Sequence, residues 1–310
     1  MTGSGRFEIE RGSELYPISL EDLPDPPRRL YVVGDPRVLA RESMSIIGTR
    51  RASPYGIAVA ELAARCAVDA GLAVVSGGAM GCDHAAGREC IDRGGTHIVV
   101  LGTGADVAYP QSSTLLIEDA VERGGAVVSI ERWGSPPRKY VFPKRNRIIA
   151  ALSRSLLIAE AGMPSGTFST AEVAESIGRE VLVAPGSMFS PESKGSNYLI
   201  SVGASCMADE EAIETAISRI YGTLRRQHGG FEGSLPGGDD RERVILRALT
   251  ASPLKIGELM RVARLDSRSC LELLGELTAS GLVERGYDGS YAATPKTLHA
   301  QTSFGHNTKA

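Results

Sequence analysis

Several things are scarce in this 310-residue chain. There are five cysteines, an odd number, and no two form a C-x-x-C pair. A disulfide framework and a zinc knuckle are therefore not expected, and scattered reduced thiols fit a reducing compartment. No apolar run is long enough to span a bilayer. The first ten residues, MTGSGRFEIE, lack the apolar core of a signal peptide. A cytoplasmic protein without a membrane contact is the expectation. The five histidines do not cluster, and no nucleophile–base pair stands out, so no catalytic residue, metal ligand or cofactor is assigned. His84, beside Asp83 in a Gly-rich region, reads as a packing or capping residue. Aromatic residues are only 5% of the chain, which leaves few candidates for stacking platforms.

Acid is missing from one long stretch. Against a formal net charge of -3, residues 132–154 (RWGSPPRKYVFPKRNRIIAALSR) hold seven basic residues and no Asp or Glu. The end of this stretch reads as a helix start, because Pro143 suits a first turn where a missing N–H costs nothing. Ile148, Ile149 and Leu152 recur at spacings of three and four and predict one buried stripe. Lys144 and Arg147 are three apart and share a face. Arg145 points elsewhere and is expected to pair with an acid inside the protein. Helix N–H groups and the positive end of the dipole among these cations suit phosphate or another polyanion. Runs of Lys and Arg are more often solvated surface; the proline-rich approach and the helix start are what hold these charges in place.

Residues 13–41 contain five prolines and little periodicity. Residues 1–43 are thus expected to be an irregular lead-in packed on the core, with one short strand, LYVVG. From Met44 to about Tyr221 short apolar runs alternate with helical stretches. MSIIG, LAVVSGG, HIVVLGTG, AVVSIE, SLLIAEAG and EVLVAPG are near-continuous Val/Ile/Leu strands, which predict an α/β core with a mostly parallel, doubly wound sheet. Gly-rich turns follow the strands repeatedly. In open α/β sheets the ligand crevice lies outside the C-terminal strand ends, so these loops, Arg50 and the basic stretch should meet at one edge. SGGAMG, residues 76–81, is not G-x-G-x-x-G, and no acid ends the next strand, so a dinucleotide site is poorly supported. Closely placed glycines still let backbone N–H groups approach a phosphate; the plainer alternative is tight strand–helix turns without a ligand.

Residues 222–240 are polar and Gly-rich and read as a linker. Residues 241–295 predict three helices, the third capped by Asp266, and a hairpin with a D-G turn. That is a winged-helix module. Its recognition helix carries Arg268 against Asp266, Glu272 and Glu276, a face that repels phosphate, so a structural or protein-contact role is expected. Residues 296–310 are expected to be disordered.

The motifs SIIGTRRASPYG, SGGAMGCDHAA, LGTGADVAYP, FPKRNRIIAALS, EAGMPSGTFSTAEVA and REVLVAPG, followed by KGSNYLISVGA, occur in that order between about Tyr16 and Thr294. With them the chain resembles the DprA family, the DNA-processing proteins of bacterial natural transformation. The resemblance implies an extended Rossmann-like core, often with a C-terminal winged helix, that binds and protects single-stranded DNA. It implies loading of the RecA recombinase, a homodimer, and no established catalytic reaction. Carried over by motif, DNA contacts fall on Arg50, on Lys144, Arg145, Asn146 and Arg147, and on the loop Ser76, Gly77, Gly78, Ala79 and Gly81. Ser165, Gly166 and Thr167 should border the same pocket. Cys82 stands where the family usually has Ile, and Ala151 where it usually has Gly. Tyr55, Tyr109, Tyr140 and Phe142 lie near the right loops to stack bases. The rival reading is an enzyme: PSGTFSTAEVAE loosely resembles the loop of nucleoside-monophosphate phosphoribohydrolases, with Glu172 as acid or base. A sensor of small nucleotides would share the pocket.

Overall fold

The Val/Ile/Leu runs become strands because both faces of their sheet are covered, so no solvent side demands polar alternation. The computed structural model describes residues 5–223 and 240–302. Residues 5–52 and 59–223 belong to a larger unit, and residues from 240 on to a smaller one. The expected linker, apart from its ends, and residues 303–310 of the expected tail lie outside the described residues.

In chain order the first part runs β1 (Arg6–Glu10), β2 (Arg29–Gly34), β3 (Ser43–Ile47), α1 (Pro54–Asp69), β4 (Ala73–Ser76), α2 (Cys82–Asp92), β5 (His97–Gly104), α3 (Thr114–Glu122) and β6 (Ala126–Glu131). It continues with α4 (Val141–Leu152), β7 (Ser155–Ile158), α5 (Thr167–Ser176), β8 (Glu180–Val183), α6 (Lys194–Ser201), β9 (Ser205–Cys206) and α7 (Glu210–Tyr221). The nine strands form one sheet in the order β1-β2-β6-β5-β4-β3-β7-β8-β9. The pairs β1/β2 and β2/β6 are antiparallel; the other pairings are parallel. This is the mostly parallel α/β sheet that the sequence predicts.

Neighbouring residues on a strand face opposite sides, and the core divides accordingly. Val75, Val100, Val128 and Ile158 pack with Ile148, Ile149 and Leu152 of α4. Val99, Leu101 and Val127 pack on the other side with Ile91, Leu116 and Ile117. The predicted stripe on α4 is thus a core stripe. Each such side chain contributes about 1.5–3 kcal/mol on burial.

The N-terminal stretch is more ordered than its prolines suggest. It supplies β1 as well as β2, and both join the sheet. Arg29 forms ion pairs with Glu8 and Glu10 across the two strands, a cross-strand pairing that favours this register. The prolines at 17, 24, 26 and 27 fall between the strands, where they cost no ladder hydrogen bond.

The chain builds outward from β3 through β4, β5 and β6, then returns by α4 to the opposite side of β3 with β7. The order of strands therefore reverses beside β3, the place where open α/β sheets hold their ligands.

The smaller unit runs α8 (Asp240–Ala251), α9 (Ile256–Ala263), α10 (Ser267–Ala279), β10 (Val283–Arg285), β11 (Tyr291–Ala293) and α11 (Pro295–Thr302). Its core holds Ile245, Leu246, Leu249, Leu259, Leu274 and Leu277 with Val283 and Tyr291. Asp266 caps α10 by accepting from the N–H groups of Arg268 and Ser269. The hairpin turn places Gly289 at φ 80°, a conformation glycine adopts without strain. Leu254 bridges Tyr291 as an added rung. Three helices and a hairpin follow the predicted order. Part of the expected disordered tail is instead the helix α11, whose start carries Thr297, with Oγ1 donating to the Leu282 carbonyl at 2.7 Å.

Candidate nucleic-acid interface

Three loops leave the C-terminal ends of β3, β4 and β7 side by side and enclose a pocket of about 480 Å³. Thr49, Arg50 and Arg51 come from the first loop, Ala79 from the second with Asp83 from the first turn of α2 behind it, and Pro164 to Gly166 from the third with Thr167 at the start of α5. Arg145, Asn146 and Ile149 of α4 and Thr170 of α5 complete the wall. The crossover helix thus lays its N-terminal half across the point where the strand order reverses.

Arg145 is the unusual member. It is only 6% exposed. Its Nε is buried without a partner, and its guanidinium donates no hydrogen bond to any described residue. Gly77 makes room for it: a Cβ there would stand 1.6 Å from Nη1. Asp83 is also buried and supplies the opposing charge. The two do not form the direct ion pair that the sequence predicts for Arg145. Asp83 is engaged elsewhere, because its Oδ2 accepts from the Gly77 N–H at 2.8 Å and its Oδ1 from the Gly48 N–H at 3.3 Å. Burial pushes the Asp83 carboxyl above its ordinary range, against the pull of Arg145 and these two amides. Burial also pulls Arg145 below its usual value, opposed by Asp83.

Helix α5 begins at the opposite wall. Gly166 offers no side chain to cap it. The Thr167 N–H donates to Ser165 Oγ at 3.2 Å, and the two hydroxyl oxygens lie 2.8 Å apart. A helix start, two hydroxyls and three arginines therefore surround one volume, an arrangement that suits an anion.

Outside the pocket, aromatic rings and cations alternate. Arg50 lies 5.6 Å and Arg145 5.9 Å from the Phe142 ring centre. Tyr109 packs at 6.0 Å from that ring. Lys144 sits 5.7 Å from the ring of Tyr140, which is 57% exposed. Arg138 donates to the Tyr140 hydroxyl at 2.9 Å.

The structure brings Arg50, Ala79, Arg145, Asn146, Ser165, Gly166 and Thr167 together, and leaves other expected residues apart. Arg147 does not line the pocket; it donates to the Asp25 carbonyl at 3.2 Å and ties α4 to the N-terminal stretch. Lys144 is exposed outside the pocket wall. The glycine loop is not an open phosphate cradle. The Gly77 N–H is held by Asp83, and the Gly78 N–H approaches Ser76 Oγ at 3.4 Å. Ser76 is buried against His97 Nε2 at 3.0 Å. Gly81, at φ 77°, serves close packing, since a Cβ there would meet the Thr49 carbonyl at 2.3 Å. Sequence reasoning missed Arg51, Pro164, Thr170 and Asp83. Glu172 is exposed and stands outside the pocket wall. Among the described residues, no helix is long and apolar enough to cross a membrane.

The family model for DNA recombination-mediator protein A matches residues 8–218. The chain belongs to that family. Protein Smf of Escherichia coli (strain K12) is 36% identical over 205 residues, which are 66% of this chain and 55% of that protein. DNA processing protein DprA of Streptococcus pneumoniae is 37% identical over 191 residues, 62% of this chain and 67% of that protein. The chain thus spans little more than half of the first relative and two thirds of the second. The crystal structure of the pneumococcal protein matches with a TM-score of 0.63 at 33% identity, covering 69% of this chain and 74% of that one. A structure of DNA processing protein A from Helicobacter pylori, described for its single-stranded DNA binding mode, also gives a TM-score of 0.63. It is 30% identical and covers 69% of this chain and 97% of that one. The stretch that the family model matches covers nearly all of this chain's larger unit.

Proposed function

We propose that this protein binds single-stranded DNA along the edge formed by the β3, β4 and β7 loops, shields it, and hands it to a RecA-type recombinase as a non-enzymatic mediator in DNA uptake or recombination. The observation that carries the reading is Arg145: a buried guanidinium with no hydrogen bond of its own, in the wall of a pocket of about 480 Å³ that the start of α5 also lines. Burying unmet donors costs stability, and a phosphate oxygen would meet them. Arg50 and Arg51 add exposed charge, and Asn146, Ser165, Gly166 and Thr167 add polar contacts. Lys144 with Tyr140, Tyr109 and Phe142 continues the path outside the pocket, where bases can stack while cations meet phosphates. Ser76, Gly77, Gly78 and Gly81 act through the shape of the turn. Arg147 acts by holding α4.

The enzyme reading loses support from the position of Glu172, which is exposed on α5 and does not line the pocket. The family resemblance supports a homodimer acting in the cytoplasm, and two short cationic paths in one dimer would gain by multivalency. The smaller unit is given a structural or partner-binding role: Arg268 on α10 is already paired with Glu272 at 2.9 Å.

The test is a binding titration with oligo-dT and with a duplex of equal length at two salt concentrations. Tighter binding of the single strand, weakened by salt, is expected. Equal or absent binding of both refutes the proposal. Light scattering at micromolar concentration should give twice the chain mass.

A further inference from the structure

The turn after β4 has the parts of an anion site. The N–H groups of Gly48 and Gly77 converge from the ends of two neighbouring strands, and α2 starts just beyond with its positive end. In nucleotide-binding sheets a phosphate occupies such a place. Here the place is filled. Asp83, in the first turn of α2, puts one carboxylate oxygen on each amide, at 3.3 Å and 2.8 Å. It is 4% exposed, yet it contributes to the pocket wall. Arg145 lies against the same glycine without closing onto the carboxylate.

We propose that Asp83 is a resident counter-anion and a specificity residue: it occupies the phosphate position of the glycine turn, so that a ligand phosphate is received only on the side of Arg145 and α5, and compact polyphosphates are refused. The inference rests on the reading that the pocket takes strand phosphates. The physical argument is one of exclusion. A second anion placed on the two amides would meet a fixed negative charge at hydrogen-bond distance in a desolvated wall, where repulsion is poorly screened. A diester strand needs one phosphate in the pocket at a time and runs outward along the aromatic path. A pyrophosphate brings two adjacent charged groups, and a group that reaches for the Gly48 and Gly77 amides meets Asp83 already on them. Without the carboxylate, two unmet amides and an unopposed guanidinium would form a second anion position.

The experiment uses the full chain with the substitutions Asp83→Ala and Asp83→Asn and inorganic pyrophosphate as the probe. Sodium chloride holds the ionic strength equal. Pyrophosphate should raise the melting temperature of Asp83→Ala and compete with labelled oligo-dT at about tenfold lower concentration than for the parent protein, the worth of one to two hydrogen bonds. Asp83→Asn should show a smaller gain, because the amide keeps one acceptor but offers a donor to the other N–H. If Asp83→Ala does not fold alone, millimolar pyrophosphate should restore its cooperative transition. The proposal is overturned if a folded Asp83→Ala gains neither melting temperature nor competition. It is equally overturned if neither variant folds with pyrophosphate present, since Asp83 is then only a cap. Loss of oligo-dT binding in the parent protein would refute the functional reading instead, and the melting measurement on the variants remains readable without it.

Discussion

Three cations stand at graded depth along the proposed path, and their replacement should grade accordingly. Arg145 is buried and already oriented, so its hydrogen bonds to a phosphate would require little ordering. A hydrogen bond to a charged group contributes about 1.5–3 kcal/mol. Arg145→Met should sit at the upper end, on the order of a hundredfold in affinity for oligo-dT. Arg50 is exposed and must be ordered on binding, so Arg50→Ala should cost about tenfold. Lys144 lies outside the pocket over Tyr140, and Lys144→Ala should cost about threefold or less, as a screened surface charge. Each lost phosphate contact also flattens the slope of log K against log salt by about 0.7. Between about 50 and 200 mM salt this narrows the deficit of Arg50→Ala by roughly 2.6-fold. Folding should survive. Arg145→Met removes a desolvated charge but leaves buried Asp83 with less compensation; the two terms oppose, and the melting curve reads their balance. Fluorescence anisotropy at several salt concentrations, with a melting curve for each variant, reads all of this. Folded Arg145→Met that binds with parent affinity and parent slope would refute the reasoning.

The aromatic path can be probed at its exposed end: Tyr140→Ala should lose about 1–3 kcal/mol of oligo-dT binding if one base stacks there, and an unchanged titration removes Tyr140 from the path. Buried His97 is held neutral, pulled down to about 3 by burial first and by Arg88 next. The unfolded chain therefore takes up a proton that the folded chain refuses, and the stability due to the neutral ring is complete above about pH 6.5 and is lost as pH falls toward 3. At pH 5 the loss is about 2 kcal/mol; in denaturant melts, His97→Asn should be less stable at pH 7 and lose less between pH 7 and 5. A chain ending at Thr223 should keep most of its single-strand affinity, and loss of nearly all binding would make the smaller unit a DNA reader.

Much of the fold is legible because strands covered on both faces write themselves as apolar runs. The pocket is less so. Arg145 falls at 145, 148, 149 and 152, the same spacing as the buried isoleucines, and this does point to an inward charge; its partner could not be read. The contacts of Asp83 with Gly48 and Gly77 depend on how the ends of β3 and β4 are registered, which no local pattern encodes. Lys144 and Arg147 share a face by periodicity, but the Asp25 carbonyl that engages Arg147 comes from a distant loop. The strand β1 escaped notice because its alternation is short and its outward residues are glutamates, which find Arg29 only once β2 is beside them.

That N-terminal pair has a consequence for the order in which the chain folds. β1 and β2 are joined by residues 11–28 and can pair soon after they emerge, but β2 has its other neighbour in β6, and β3 has one of its own in β7. At ribosomal rates of about 5–20 residues per second, β2 waits on the order of ten seconds for that partner. During this interval its far edge is an unpaired row of backbone donors and acceptors carrying Tyr31, Val32 and Val33, a template for pairing with another nascent chain. That edge is covered when β6 emerges, ahead of α4, the helix that carries Arg145. The crossover that builds the pocket then brings β7 to the other open side of β3, so the binding site is completed only after the N-terminal pair has been shielded.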